Sequence, residues 1–296
     1  MIQIMQHLAS HIQYLTPYQE TDRPILAAIT GTRSTLLIDA GNSAAHIQYF
    51  IDQLVKQDIS PRWLVLTHWH WDHVFGMNQA NTTIIAQTLT TEYIRRMQAW
   101  SWDDEALERR VQQGLEIEFC ASAIKKELGN ERDIILPTPD ITFERKLELD
   151  LGRVHCVIEH VGGDHSDDST VVYVKEDKVL FVGDALYPNI HVEPHEYTPA
   201  ATLKLVAMLR AYDVDTVVLS HHADVWAEAR FRHELDLLER IATLVQVPDE
   251  EESTIAAKLE RHYERELYEA ERETITLFLN GRHRQQAVAT LAGSES

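Results

Sequence analysis

A chain of 296 residues with 44% hydrophobic and 25% charged residues can bury a sizeable core, and this near-average composition excludes a disordered protein. Its 47 acidic against 27 basic residues give a formal net charge of -20, which repels nucleic acid and anionic membranes and counts against a nuclease. The N-terminal Met1 to His7 carries no basic stretch followed by an apolar core, and no run approaches the roughly 18 apolar residues of a membrane span, so a cytoplasmic protein is expected.

The length suits one large layered domain over residues 1–228, interrupted by a helical insertion at about 87–130, with a helical extension over 229–296. Residues 11–18 and 25–30 read as strands separated by the polar turn Gln19 to Pro24. After Gly31 to Ser34, a buried strand from Thr35 ends in Asp39-Ala40-Gly41, and Gly41-Asn42-Ser43 leads into a helix over 44–57. Asp39 is either a cap or turn residue or a support for a site nearby.

Trp63 to Leu66 is an apolar run that reads as a buried strand, and it delivers Thr67-His68-Trp69-His70-Trp71-Asp72-His73 at its end. Alternate residues of an extended segment share a face, so His68 and His70 point together, while Asp72 and His73 fall in the following turn. The pattern predicts two pairs of ligands for two adjacent metal ions. Trp69 and Trp71, on the opposite face, are expected to pack and hold the ligands in place.

Thr83 to Ala86 is a further strand, followed from Thr90 to Leu128 by helical patterns. Trp100 and Trp102 in this region either pin the insertion to the core or line a pocket. Cys120, in a helix, and Cys156, in a strand, form no Cys-x-x-Cys pair and are expected as buried free thiols. Ile134 to Leu151 reads as paired strands, and Val154 to Val161 as a buried strand ending in Gly162-Gly163-Asp164-His165, where a histidine on a glycine-rich loop can meet a metal. The runs 170–174 and 179–182 form a hairpin whose second strand ends in Gly183-Asp184-Ala185-Leu186-Tyr187. A helix over 200–212 precedes a strand from Thr216 to Ser220 that ends in His221-His222. The remainder is helical, over 231–245, 253–263 and 264–279, with Pro248 and Asp249 restarting the pattern.

Four strand ends, at residues 67, 162, 183 and 220, are thus followed at once by metal-ligating residue types. The set His68-x-His70-x-Asp72-His73-x-x-Gly76, then His165, Asp184 and His221, with Asp39-Ala40-Gly41 upstream, resembles the metallo-β-lactamase superfamily over about residues 10–225. That resemblance implies an α/β (α+β) fold, a four-layer αβ/βα sandwich with the metal site at one edge of two mixed sheets. It also implies that His68, His70 and His165 bind one divalent ion, Asp72, His73 and His221 a second, and that Asp184 bridges them, with Asp39 supporting the site. Three imidazoles suit zinc, while carboxylates at the second position admit zinc, iron or manganese.

The implied reaction is hydrolysis by a metal-bridging hydroxide, with Asp72 and Tyr187 as catalytic residues. His70 stands where redox-active diiron members carry glutamate, and Asp184 is absent from the exported antibiotic-degrading β-lactamases, so neither activity is expected. Asp184-x-x-Tyr187 is similar to an element of N-acyl homoserine lactonases, which favours a lactone or other carboxylic ester. Alternatives are a thioesterase of the hydroxyacylglutathione hydrolase type, a phosphodiesterase, and a metal-binding scaffold without activity.

Either His221 or His222 can face the metals; alignment of Leu219-Ser220-His221 with the family favours the first. His155 and His160 are expected in core or surface positions, His191 and His195 with Tyr197 near a pocket, and His7, His11, His46, His233, His262 and His283 at the surface. The expected partners are a small-molecule substrate and, from apolar helical faces around Leu235, Leu238 and Ile241, a second copy of the chain, with no nucleic acid or membrane. The insertion and the C-terminal helices are expected to frame the pocket mouth.

Overall fold

The computed structural model describes residues 3–130, 132–248 and 250–294. The apolar runs of the first half form a seven-stranded sheet in sequence order. Its strands are β1 (Met5–Ala9), β2 (Ile12–Leu15), β3 (Leu26–Thr30), β4 (Thr35–Ile38), β5 (Pro61–Val65), β6 (Thr83–Gln87) and β7 (Ile141–Phe143). Neighbours are antiparallel from β1 to β4 and parallel from β4 to β7. A second, six-stranded sheet contains β8 (Lys146–Asp150), β9 (His155–His160), β10 (Thr170–Val174), β11 (Val179–Gly183), β12 (Thr216–Leu219) and β13 (Trp226–Ala227), with only β11 and β12 parallel.

The strand pleat sorts side chains into layers, because successive residues point to opposite faces. Leu36, Ile38, Val65, Val172, Val179, Phe181 and Val218 meet in the core between the sheets. Leu37 and Leu64 face the other way, onto Phe50 of α1 (Ala44–Val55) and the insertion helices α4 (Thr88–Met97), α5 (Asp104–Gln112) and α6 (Glu118–Leu128). Two single-turn helices, α2 (Trp71–Val74) and α3 (Met77–Ala80), lie in the same outer layer. On the far side, Val171, Leu180 and Val217 pack against α7 (Pro199–Leu209), α8 (Glu228–Leu244), α9 (Glu252–Tyr263) and α10 (Glu269–Ser294). Three apolar cores between four layers make this the αβ/βα sandwich expected from the sequence.

The C-terminal helices share one core with the second sheet, where Leu235, Leu238, Ile241 and Phe278 are each at most 1% exposed. The apolar face that motivated a dimer is therefore occupied inside the chain itself. Among the described residues no helix is long and apolar enough to cross a membrane.

Three expectations change. Ile134 to Leu151 does not form paired strands: β7 continues the first sheet beside β6, and β8 opens the second sheet beside β9. Pro137 and Pro139 lack the N–H groups of a ladder, so the chain before β7 stays irregular, fastened by Ile84 N–H donating to Asp140 Oδ2 at 2.8 Å. Met5–Ala9 is a strand where none was expected, pairing with β2 at the sheet edge. His46 is fully buried rather than at the surface, because it stands one residue before Ile47 on the inward face of α1, capped by Ser43. Burial holds its imidazole well below the ordinary range. Asp249, expected to restart the helical pattern, lies outside the described residues.

Candidate metal centre

The ends of β4, β5, β9, β11 and β12 converge on one edge of the sandwich. The chain leaves β5 through Leu66 and Thr67, and Asp39, just after β4, organises that exit. Asp39 Oδ1 accepts from the Thr67 backbone N–H at 2.7 Å, and Oδ2 accepts from Thr67 Oγ1 at 2.8 Å. His73 Nδ1 lies 2.8 Å from the same Oδ2, so a donated proton there turns Nε2 toward the site. Asp39 holds a left-handed backbone, φ 60°, and is almost fully buried. Of its two open readings, the supporting one is realised.

His68 and His70 project together from the segment after Thr67, as alternation requires. His165, on the glycine-rich loop after β9, joins them with Nδ1 3.3 Å from the Pro188 carbonyl oxygen. One ligand atom from each of these three buried histidines forms a cluster within 4.8 Å; Asp72, His73, Asp184 and His221 form a second. Gly183, at φ 56°, turns the chain so that Asp184 enters the middle. Asp184 Oδ2 lies 3.9 Å from His68 Nε2, 3.5 Å from His73 Nε2, 3.5 Å from His165 Nε2 and 3.4 Å from His221 Nε2. The structure thus brings all seven sequence-predicted donors together.

The electrostatics separate the clusters. Burial holds His68, His70 and His165 below the ordinary imidazole range, leaving them neutral and ready to ligate. Burial acts on His73 and His221 in the same direction, but the carboxylates around them outweigh it and raise both. Asp72 and Asp184 resist desolvation through the charges of those same imidazoles, and both are held well below the carboxylate range. The donor set fits divalent ions: Nε2 of His68 and His165 and Oδ1 of Asp184 are buried with no hydrogen-bond partner.

His222 does not enter either cluster; its ring lies 6.0 Å from that of Tyr187 at 20°, a stacked contact. Tyr187 reaches the site, its hydroxyl buried and without a partner. Burial, reinforced by the Asp184 charge, raises its pKa and keeps it protonated. Of the other residues expected near a pocket, His191 lines the cavity and burial lowers it to about 4, whereas His195 and Tyr197 do not reach it.

Sequence reasoning missed Asp22, whose Oδ1 lies 3.4 Å from His221 Nδ1. It sits in a left-handed backbone, φ 56°, closing a one-turn helix in what reads as a polar turn, and nothing local marks it. Asp168 was also missed. It is fully buried near Ser166, with Oδ2 unpartnered, and burial raises its pKa from 3.8 to about 7. Between those values the folded chain keeps a proton the unfolded chain has lost, so this group costs stability as pH rises from about 4 to about 7. Asp168→Asn is expected to remove that cost, by up to roughly 4 kcal/mol above neutrality and by little near pH 4. Denaturant unfolding of both proteins across this range checks it; parallel stability curves would show the assignment to be wrong.

A cavity of about 800 Å³, including its open mouth, lies over the donors. Trp69, half-buried, and Trp71, 4% exposed, both pack on the outer core as expected and also form part of the cavity wall. Trp100 and Trp102 do both things the sequence left open, packing on the insertion and lining the cavity.

The comparisons with known proteins agree with this geometry. The Metallo-beta-lactamase superfamily profile matches residues 27–221. A metallo-beta-lactamase from Pontibacter korlensis superposes with a TM-score of 0.56 at 19% identity, covering 80% of this chain and 99% of that one. A stereoselective inverting sec-alkylsulfatase from a Pseudomonas species superposes at 0.63 with 16% identity, over 88% of this chain but 44% of that enzyme. At such identities these likenesses show the fold alone. No curated protein matches the chain significantly. With its profile match spanning most of the sandwich and its donors gathered at the sheet edge, the chain belongs to the metallo-beta-lactamase superfamily of metal-dependent hydrolases.

Proposed function

We propose that this protein is a dinuclear metal hydrolase that cleaves a small ester-like substrate, a lactone or other carboxylic ester. The observation that carries this reading is the position of Asp184 Oδ2, within 3.4 to 3.9 Å of four imidazole nitrogens drawn from both donor clusters. In this reading His68, His70 and His165 would hold one ion and Asp72, His73 and His221 a second, with Asp184 placed to serve either. Zinc suits the three-imidazole position. Divalent ions held there would supply Lewis acidity and would lower the pKa of a water to near neutrality.

The chain's own groups do the rest. Asp39 and Asp22 orient His73 and His221 through their Nδ1 atoms, so that both Nε2 atoms face inward. Asp72 remains ionised beside them, its carboxyl, despite burial, held well below the ordinary range by the neighbouring imidazoles, so it serves as an anionic donor. Tyr187, kept protonated and unpaired, donates a hydrogen bond to the substrate oxygen on which charge develops. Apolar walls limit water around the reacting ester.

Activity of the metal-loaded protein against a panel of lactones, thioesters and phosphodiesters tests the proposal; hydrolysis of the oxygen esters ahead of the other classes is expected. A preference for phosphodiesters or thioesters, or no turnover with full metal content, would overturn it. On the preferred ester, Tyr187→Phe is expected to lower kcat by about 10- to 100-fold with metal content unchanged. Wild-type turnover in that variant would remove Tyr187 from the chemistry.

A further inference from the structure

The cavity above the donors has a composition that the hydrolase reading does not itself require. Its walls are indole and aliphatic surface: Trp69, Trp71, Met97, Trp100, Trp102 and Ile190. At its mouth stand Leu115 and Phe119, 65% and 56% exposed, two of the most exposed large apolar side chains of the described residues. They come from the segment after α5 and from α6, so the insertion builds both rim and wall. Bare apolar groups gathered at the rim of a cavity are what a ligand covers.

Charge is equally one-sided. Among the described residues no lysine or arginine lines this cavity. Arg110 stacks over Trp100 and Trp102, its carbon 5.2 and 4.7 Å from their ring centres, but it is not part of the lining. Glu116, at the base of the rim, is the one lining carboxylate away from the donor clusters and Asp22. Its backbone neighbour Ile117 donates to Oε1 at 3.1 Å, and Arg110, held over Trp100 and Trp102, is the cation whose charge acts on it. Arg96, Arg109 and Arg110 line the neighbouring hollow that shares Trp69, Trp100 and Leu115, so a second carboxylate, sulfate or phosphate held within the cavity itself would lose its water and meet indole faces and Glu116, with no cation in the lining.

We propose that the insertion selects substrates by charge: the group flanking the scissile ester is a large apolar or aromatic substituent that bears no anionic group. This rests on the ester-hydrolase reading and narrows it. It sets aside substrates whose flanking group carries an anion away from the reacting centre, among them glutathione thioesters. Glu116 is a specificity-determining residue that rejects anions, and Trp100 and Trp102 supply the surface that accepts apolar groups.

A matched pair of esters reads this out on the metal-loaded protein: 4-nitrophenyl octanoate against mono-4-nitrophenyl octanedioate, equal in reach but differing by one terminal carboxylate. The neutral arm is expected to have a kcat/KM about 30-fold higher, from the uncompensated desolvation of that carboxylate. Glu116→Gln is expected to narrow the ratio, and Trp100→Ala to raise KM for the neutral ester more than it lowers kcat. Equal turnover of the pair, or preference for the dioate, would overturn the proposal. A binding arm separates it from the reaction reading: octanoate and octanedioate can each place one carboxylate at the metals, and tryptophan fluorescence follows both. Octanoate binding about tenfold tighter or more upholds charge selection even if neither ester is cleaved, in which case only the reaction reading falls. Octanedioate binding as tightly as octanoate overturns charge selection whatever the turnover.

Discussion

Asp184→Ala is expected to lower kcat/KM for the preferred ester by about 1,000-fold or more and to reduce bound metal toward one ion per chain. The reason is position rather than charge alone. Among the described residues Asp184 is the only one whose carboxylate pairs within 4 Å with His68, His73, His165 and His221 together, so no neighbouring carboxylate can take over its role. Removing it leaves His73 and His221 with Asp72 alone on that side, and leaves the three-histidine cluster intact. The same variant therefore separates the clusters: the first keeps its donors, the second loses one of its two carboxylates. Metal analysis beside steady-state kinetics checks it. Full metal content with turnover within a few-fold of wild type would contradict the bridging role.

Gly76→Ala is expected to destabilise the fold by about 3 kcal/mol or more. Its backbone conformation is ordinary for any residue, φ -84°, so the effect is one of space. A Cβ there would overlap the Ala40 carbonyl oxygen and stand 2.8 Å from Ile47 Cγ2 and 2.9 Å from the Ser43 carbonyl oxygen. Two of those three atoms belong to backbone that is already tied: Ala40 N–H donates to the His73 carbonyl oxygen at 2.8 Å, and the Ser43 carbonyl oxygen accepts from Ile47 N–H at 3.3 Å. To make room, the turn bearing Asp72 and His73 must move away from the end of β4. The variant should therefore lose both thermal stability and metal affinity. Calorimetric unfolding with and without added zinc reads both; a midpoint within a degree or two of wild type would show that this close approach is not required.

The site was legible because its chemistry is concentrated where sequence speaks most clearly. Buried strands announce themselves as apolar runs, and His68, His70, His165, Asp184 and His221 follow such runs immediately. Alternation even gave the shared direction of His68 and His70. Asp22 was hidden because its role depends on a left-handed turn at φ 56° brought against His221 from about two hundred residues away. Glu116 was hidden because it lies in the link between α5 and α6, where no helical periodicity shows which residue looks down on the donors. His46 shows the opposite failure: a polar residue type suggested the surface, while its place on the buried face of α1 decided the matter. The 134–151 segment misled because two short apolar stretches with a turn between them look the same whether they form a hairpin or step from one sheet to the next.

The central claim is that one carboxylate joins two metal positions. Anomalous diffraction from crystals of the zinc-loaded protein tests it most directly. The account predicts two peaks per chain flanking the Asp184 carboxylate, one among His68, His70 and His165 and the other among Asp72, His73 and His221. A single peak at full zinc saturation, or two peaks that Asp184 does not touch, would contradict it.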